Sequence, residues 1–283
     1  MIDYHVHPSY SIDAHGTLDE FCRTAMERGI RDIGFATHLD TDVESGDAYV
    51  NLNGRRVDSR SEEWLEDYRL SVKQANERYH SQGLAVKLGL ELDYYQGVDQ
   101  MLPKGLNRSD FDFLIGSVHL IDHKAISLKE QARQLFDSHS AEGLVDLYFG
   151  LLLECVKSGM CDVVGHIDIY RRFGEEICGG RIHDLWKPHI DELATTMKRF
   201  HVAFEVNTSS WRKGLTEPMP EESLTRALLE RGVRSATIGS DAHVPADVGA
   251  GTDRALLMLK SLGLKTITTY RLRHAIQVPI EQA

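Results

Sequence analysis

The chain has 283 residues, 42% of them hydrophobic and 27% charged, enough to bury the core of one large α/β domain or two small ones. A formal charge of −11 argues against the basic surface that long nucleic acids require, and it means that a phosphorylated ligand must be met by local positive charge, from metal ions or a few arginines. No apolar run approaches the roughly 20 residues that span a bilayer, the first residues lack a signal-peptide pattern, and Cys22, Cys155, Cys161 and Cys178, without CxxC spacing, suit reduced thiols in the cytoplasm.

Residues 2–7 predict a short strand ending in His5-Val6-His7. Side chains two apart on a strand share a face, so the two imidazoles can aim at one point, as metal ligands do. Thr17 followed by Glu20 is a capping box, and Gly29 is a natural stop for the helix between them. Residues 32–38 read as a buried strand ending in His38, and residues 43–60 as a long polar loop over one face, with Asn53-Gly54 as a turn signal. A charged helix over 61–80 carries Trp64, Leu65, Tyr68 and Val72 on one side.

The strand expected over 85–95 closes on Glu91, and that over 111–119 on His119. Helices are predicted at 127–137 and 140–158, then a strand over 162–168 with His166 near its end. Residues 182–200 read as mostly helical, 201–207 as a strand ending at Asn207, and 221–231 as a helix. A strand over 235–243 carries Asp241 and His243, and a helix over 246–262 stops at Gly263.

Short apolar strands alternating with helices predict a parallel sheet covered by helices. In an open sheet the strand ends spread along a line, and only those at a switch point can meet. In a closed barrel they form one ring. His5, His7, His38, Glu91, His119, His166, Asn207, Asp241 and His243 all fall at C-terminal strand ends, so an irregular seven-stranded TIM-like barrel is the better reading. Singly, each residue has a bland explanation, such as a helix cap or a hydrogen-bonded core histidine. Jointly they exceed the three or so protein ligands of one catalytic zinc. They imply two or three divalent ions sharing a bridging carboxylate, for which Glu91 is the natural choice. Such donors accept Zn, Mn, Fe or Co.

His5-Val-His7 with Asp13, Phe-Ala-Thr-His38, Gly-Leu-Glu91, Gly-Ser-Val-His119, Gly-His166-Ile-Asp and Gly-Ser-Asp241-Ala-His243 together resemble the PHP family, named for polymerase and histidinol phosphatase. The resemblance implies one distorted (β/α)7 barrel domain over 1–283 with a trinuclear site. It makes His5, His7, Glu91 and Asp241 ligands of one metal, Glu91, His119 and His166 of a second, and Asp13, His38 and His243 of a third. His15 is an alternative to Asp13. The stretches after His166 and around Asn207 resemble the histidinol-phosphate phosphatase branch, whose arginines meet the substrate phosphate. That makes Arg171 or Arg172, Asn207 and Arg212 the expected substrate contacts, with Arg171 favoured by its distance from His166.

The implied activity is hydrolysis of a phosphate monoester, most naturally L-histidinol phosphate in histidine biosynthesis. A hydroxide bridging metals about 3.5–4 Å apart would attack phosphorus in line. Asp241 would take the proton of the water and His243 would protonate the leaving alkoxide. Three rivals remain open: a nucleotide or oligonucleotide phosphoesterase of the same family, a barrel amidohydrolase, and a catalytically silent metal-binding module. The amidohydrolase is disfavoured because no lysine ends a strand.

Overall fold

The computed structural model describes residues 1–281. β1 (Ile2–Val6) and β2 (Asp32–Leu39), separated by α1 (Leu18–Glu27), lead to a hairpin of β3 (Tyr49–Leu52) and β4 (Arg55–Asp58), then α2 (Glu63–His80) and β5 (Ala85–Asp93). β6 (Phe113–Ser117), a small ribbon of β7 (Leu120–Ile121) and β8 (Lys124–Ala125), α3 (Lys129–Ser138) and α4 (Ala141–Lys157) follow. The chain continues through β9 (Val163–Val164), α5 (Arg171–Cys178), α6 (Ile190–Phe200), β10 (Ala203–Asn207), α7 (Ser209–Arg212), α8 (Glu222–Glu230), β11 (Ala236–Gly239) and α9 (Thr252–Ser261). A hairpin of β12 (Thr266–Arg271) and β13 (His274–Pro279) comes last.

Seven strands pair in parallel in the order β1-β2-β5-β6-β9-β10-β11. The ring shuts where Val6 bridges Ala242: His7 N donates to Ala242 O at 2.8 Å, and Asp241 N donates to His5 O at 2.7 Å. This is the expected TIM-like (β/α)7 barrel, distorted at that seam and at β9, which is only two residues long. Its strands are buried on both faces, as helices outside and side chains inside require. Gly34 and Gly89 leave the interior to Phe113, because a Cβ at either would lie 2.6 or 2.4 Å from the Phe113 ring.

The expected capping box forms: Thr17 accepts from Glu20 N at 3.3 Å, and Glu20 Oε2 accepts from Thr17 N at 2.7 Å. Other expectations change. The stretch 43–60 is not a structureless loop, since it contains the β3–β4 hairpin turned on Asn53-Gly54, both at positive φ as a tight hairpin turn demands. The strand at 162–168 ends at Val164, because the backbone swings so that His166 N can donate to Glu205 Oε2 at 3.0 Å. α6 begins at Ile190 rather than 182, with a 3₁₀ turn at Gly179–Asp184 and Pro188 before it. α9 begins at Thr252 because Gly249 and Gly251 hold positive φ.

The barrel base is sealed by the β12–β13 hairpin, which the sequence reading did not anticipate. Tyr270 N donates to Tyr4 Oη at 3.0 Å, Tyr270 Oη to Asp162 O at 3.0 Å, and Arg273 forks onto the Asp162 carboxylate at 2.9 to 3.1 Å. Among the described residues no helix is long and apolar enough to cross a membrane.

Candidate metal centre

The end of β1 and the residue just past it bring His5 and His7 to one side, both fully buried. Glu91, on β5 two residues before its end, is the hub. Its Oε2 lies 3.3 Å from His5 Nε2, 3.6 Å from His7 Nε2 and 2.9 Å from His38 Nδ1. Its Oε1 lies 3.5 Å from His119 Nε2 and 3.0 Å from His166 Nε2. Asp241, at φ 54° just past β11, turns its carboxylate to within 3.3 Å of His7 Nε2. Asp13 Oδ2 is 3.2 Å from His243 Nε2, and its Oδ1 is 4.0 Å from His38 Nε2.

Four sets of donors therefore converge closely enough to hold ions: His5, His7 and Asp241; Glu91, His119 and His166; His7, His38 and His243; and Asp40, Asp93 and His119. The buried atoms His5 Nε2, His7 Nε2, His38 Nδ1 and Glu91 Oε2 make no hydrogen bond within the protein. Buried polar atoms are normally satisfied, so unbonded donors crowded around one carboxylate fit divalent ions. A mixed imidazole and carboxylate set suits Zn, Mn or Fe.

The opposite ring nitrogens are held from outside. His5 Nδ1 meets Glu205 Oε1 at 2.6 Å, His7 Nδ1 meets Ser11 Oγ at 3.3 Å, and His119 Nδ1 lies 3.5 Å from Asp93 Oδ1. Such partners fix the tautomer and the ring orientation of a metal-binding imidazole. Gly239 makes room for the first pair, since a Cβ there would lie 2.2 Å from Glu205 Oε1 and 2.3 Å from the His5 Cβ.

The cluster is strongly polarised. Burial would neutralise His5, yet Glu205 and Glu91 hold it well above the usual histidine range. Burial, with His38 and His243 alongside, drives His7 well below it. Against the cost of burial, Glu91 lifts His38 to about 10 and, with Asp93, lifts His119 to about 9. In turn, His5, His119 and His38 hold Glu91 well below the usual carboxylate range despite its burial. Asp241 is likewise held low by Lys213 and His7. Burial and the adjacent Asp93 carboxylate push Asp40 up to about 7.

A cavity of about 610 Å³ opens over this cluster, lined on one side by Arg172, Arg212 and Lys213. Two expectations are corrected here, and one alternative is resolved. Arg171 is fully buried and faces away, with its guanidinium on Asp168 Oδ2 at 2.8 Å, Glu175 Oε1 at 3.1 Å and Pro218 O at 3.1 Å, so the cavity arginine is Arg172. Asn207 is also fully buried. Its Nδ2 donates to Glu205 Oε2 at 3.2 Å, and its Oδ1 accepts from Ser209 N at 3.0 Å, so it shapes the turn after β10 rather than lining the cavity. His15 is exposed and meets His243 only through its backbone N, whereas Asp13 faces the cluster.

Arg212 lines the cavity as expected, donating to Ser240 O at 2.7 Å and pairing with Asp247 at 3.2 Å. The sequence reading missed Glu205, Asp93, Asp40 and Lys213. Period-two spacing held a signal for two of them, since Glu205 precedes Asn207, and Asp93 follows Glu91, by two residues on a strand.

Comparison with known proteins agrees with this geometry. A protein of Deinococcus radiodurans described as "Probable histidinol-phosphatase" is 28% identical over 268 residues, covering 95% of this chain and 96% of that one. The histidinol-phosphatase of Lactococcus lactis is 22% identical over 294 residues, 95% of this chain and 94% of it. The crystal structure of the histidinol phosphate phosphatase of Lactococcus lactis, complexed with Zn, L-histidinol and phosphate, shares the fold with a TM-score of 0.73 at 18% identity, over 97% of this chain and 98% of that one. The family model described as PHP domain matches residues 3–209, a stretch that holds every donor above except Asp241 and His243. On that match, extended across most of its length, the chain belongs to the PHP domain family.

Proposed function

We propose that the protein is a metal-dependent phosphomonoesterase that hydrolyses L-histidinol phosphate to L-histidinol and phosphate, a step of histidine biosynthesis. One observation carries the reading: the donor sets linked through His7 and Glu91 share a single cavity with Arg172, Arg212 and Lys213. The names of the relatives at 28% and 22% identity support the substrate.

Two to three divalent ions would be held by His5, His7, Glu91 and Asp241, by Glu91, His119 and His166, and by Asp13, His38 and His243. Bound there, Zn, Mn or Fe supplies Lewis acidity toward phosphoryl oxygens and lowers the pKa of water. The remaining work falls to the protein. Arg172 and Arg212 clamp the non-bridging phosphate oxygens, for which a planar guanidinium is suited, and Lys213 adds a point charge beside Asp241 at 3.5 Å. The Asp241 carboxylate accepts the proton of the attacking water. With only two ions bound, so that His243 is not a ligand, His243 on the cavity wall returns a proton to the leaving alkoxide. Residues 1–283 act as one barrel domain, and the four free cysteines fit a cytoplasmic location.

The test is phosphate release from L-histidinol phosphate, AMP and a dinucleotide by Zn- and Mn-loaded protein. The highest kcat/KM is expected on L-histidinol phosphate. A preference for either nucleotide would overturn the substrate assignment.

A further inference from the structure

The cavity is electrostatically two-ended, and its second end is not used by the chemistry above. Its cations stand after β9 and β10, where among the described residues Arg172 has no carboxylate partner. Across the ring, past β2 and at the end of β5, stand Asp40 and Asp93. Asp40 lines the cavity. Its Oδ1 is buried without a hydrogen-bond partner, and so is Oδ2 of Asp93, a residue only 1% exposed.

Asp93 spends its other oxygen on His119, accepting from the backbone N at 2.8 Å and lying 3.5 Å from Nδ1. Donor atoms of Asp40, Asp93 and His119 all lie within 4.8 Å of one another. His119 has its Nε2 turned to Glu91 and His166, so its Nδ1–H can serve Asp93 alone. Asp40 therefore faces the cavity with Asp93 behind it, each keeping one buried oxygen without a hydrogen-bond partner, and leaving them so is costly.

We propose that Asp40, backed by Asp93, receives the ammonium group of a substrate whose phosphate lies against Arg172 and Arg212, so that the site selects zwitterionic aminoalkyl phosphates. This rests on the phosphatase reading and extends it. A phosphate and an ammonium carried on one short chain complement the charges at the two ends of this cavity. A phosphomonoester without an amine leaves the Asp40 end unpaired, and a nucleoside monophosphate offers no alkylammonium there. Asp40 is thereby a specificity residue, and Asp93 positions His119.

The test compares kcat/KM for L-histidinol phosphate and its desamino analogue, 3-(imidazol-4-yl)propyl phosphate, on metal-loaded wild type and Asp40→Asn. Loss of the amine is expected to cost wild type about tenfold or more, the scale of a hydrogen-bonded charge. In Asp40→Asn that gap should shrink to about twofold or less, since the neutral amide cannot pair with the ammonium. Equal values for the two compounds in wild type would overturn the proposal, as would an undiminished gap in the variant. Loss of one metal equivalent in Asp40→Asn would assign the carboxylate to an ion and overturn it too. Should the variant not fold, the wild-type comparison still decides. If wild type hydrolyses neither compound, the histidinol phosphate reading falls on its own. O-phosphoethanolamine against ethyl phosphate then judges Asp40 separately, equal rates overturning the proposal and a preference for the amine supporting it.

Discussion

Glu205 Oε1 stands 2.6 Å from His5 Nδ1, and both residues are buried at the heart of the barrel. The carboxylate fixes which imidazole nitrogen faces Glu91. Glu205→Gln keeps the shape and removes the charge. It should weaken metal affinity by about 10- to 100-fold, with activity falling in step until metal is supplied in excess. Chelator competition read alongside phosphate release checks this. An unchanged affinity would show that the pair does not orient the ligand.

The adjacent arginines should separate by assay. Arg172→Ala is expected to raise KM for phosphomonoesters about tenfold or more while leaving melting temperature and metal content near wild type. Arg171→Ala leaves Asp168 buried without its cation, a change that typically costs about 3–5 kcal/mol. Paired urea melts and steady-state kinetics distinguish the two. A stable Arg171→Ala with raised KM would reverse the assignment.

Removal of metal should be felt in stability as well as activity. Ions that bind the folded chain alone add about 2.7 kcal/mol at a free concentration one hundred times Kd. Dialysis against a chelator should lower the melting temperature and abolish turnover, and added Zn or Mn should restore both. Glu91→Gln, whose carboxylate faces five imidazoles, should lose turnover and metal together. Full activity with undiminished metal would count against Glu91 as the shared ligand.

A pH effect is expected far from the site. Burial at the barrel base pushes Asp32 up to about 7, against the pull of Lys87 and Tyr4, whereas an unfolded aspartate titrates near 3.9. Between those values the folded chain holds a proton that the unfolded chain has released, so stability falls as pH rises through that window. Asp32→Asn should flatten the profile. Urea midpoints at pH 5 and pH 7.5 are the measurement, with a smaller drop in the variant than in wild type.

The sequence showed what periodicity and caps can show. The alternation of His5 and His7 predicted a shared face, and the Thr17 and Glu20 pair marked a helix start that formed as expected. Donors scattered over more than two hundred residues implied a closed ring, and the ring is there. What stayed hidden depended on rotation and on distant partners. One step along a helix turns a side chain by about 100°, so the start of α5 decides whether Arg171 or Arg172 meets the cavity, and spacing from His166 cannot. Asn207 sits at a strand end as a ligand would, yet the turn through Ser209 encloses it. β13 is largely exposed, so no apolar alternation announced it.

Asp241 both offers a carboxylate to His7 and, through its backbone N, stitches the last barrel strand to the first at His5 O. Ion capture and ring closure thus meet in one residue. A growing polypeptide that has made His5 and His7 must wait for more than two hundred further amino acids before the cage around them can be finished, and until then those imidazoles remain open to whatever cation arrives.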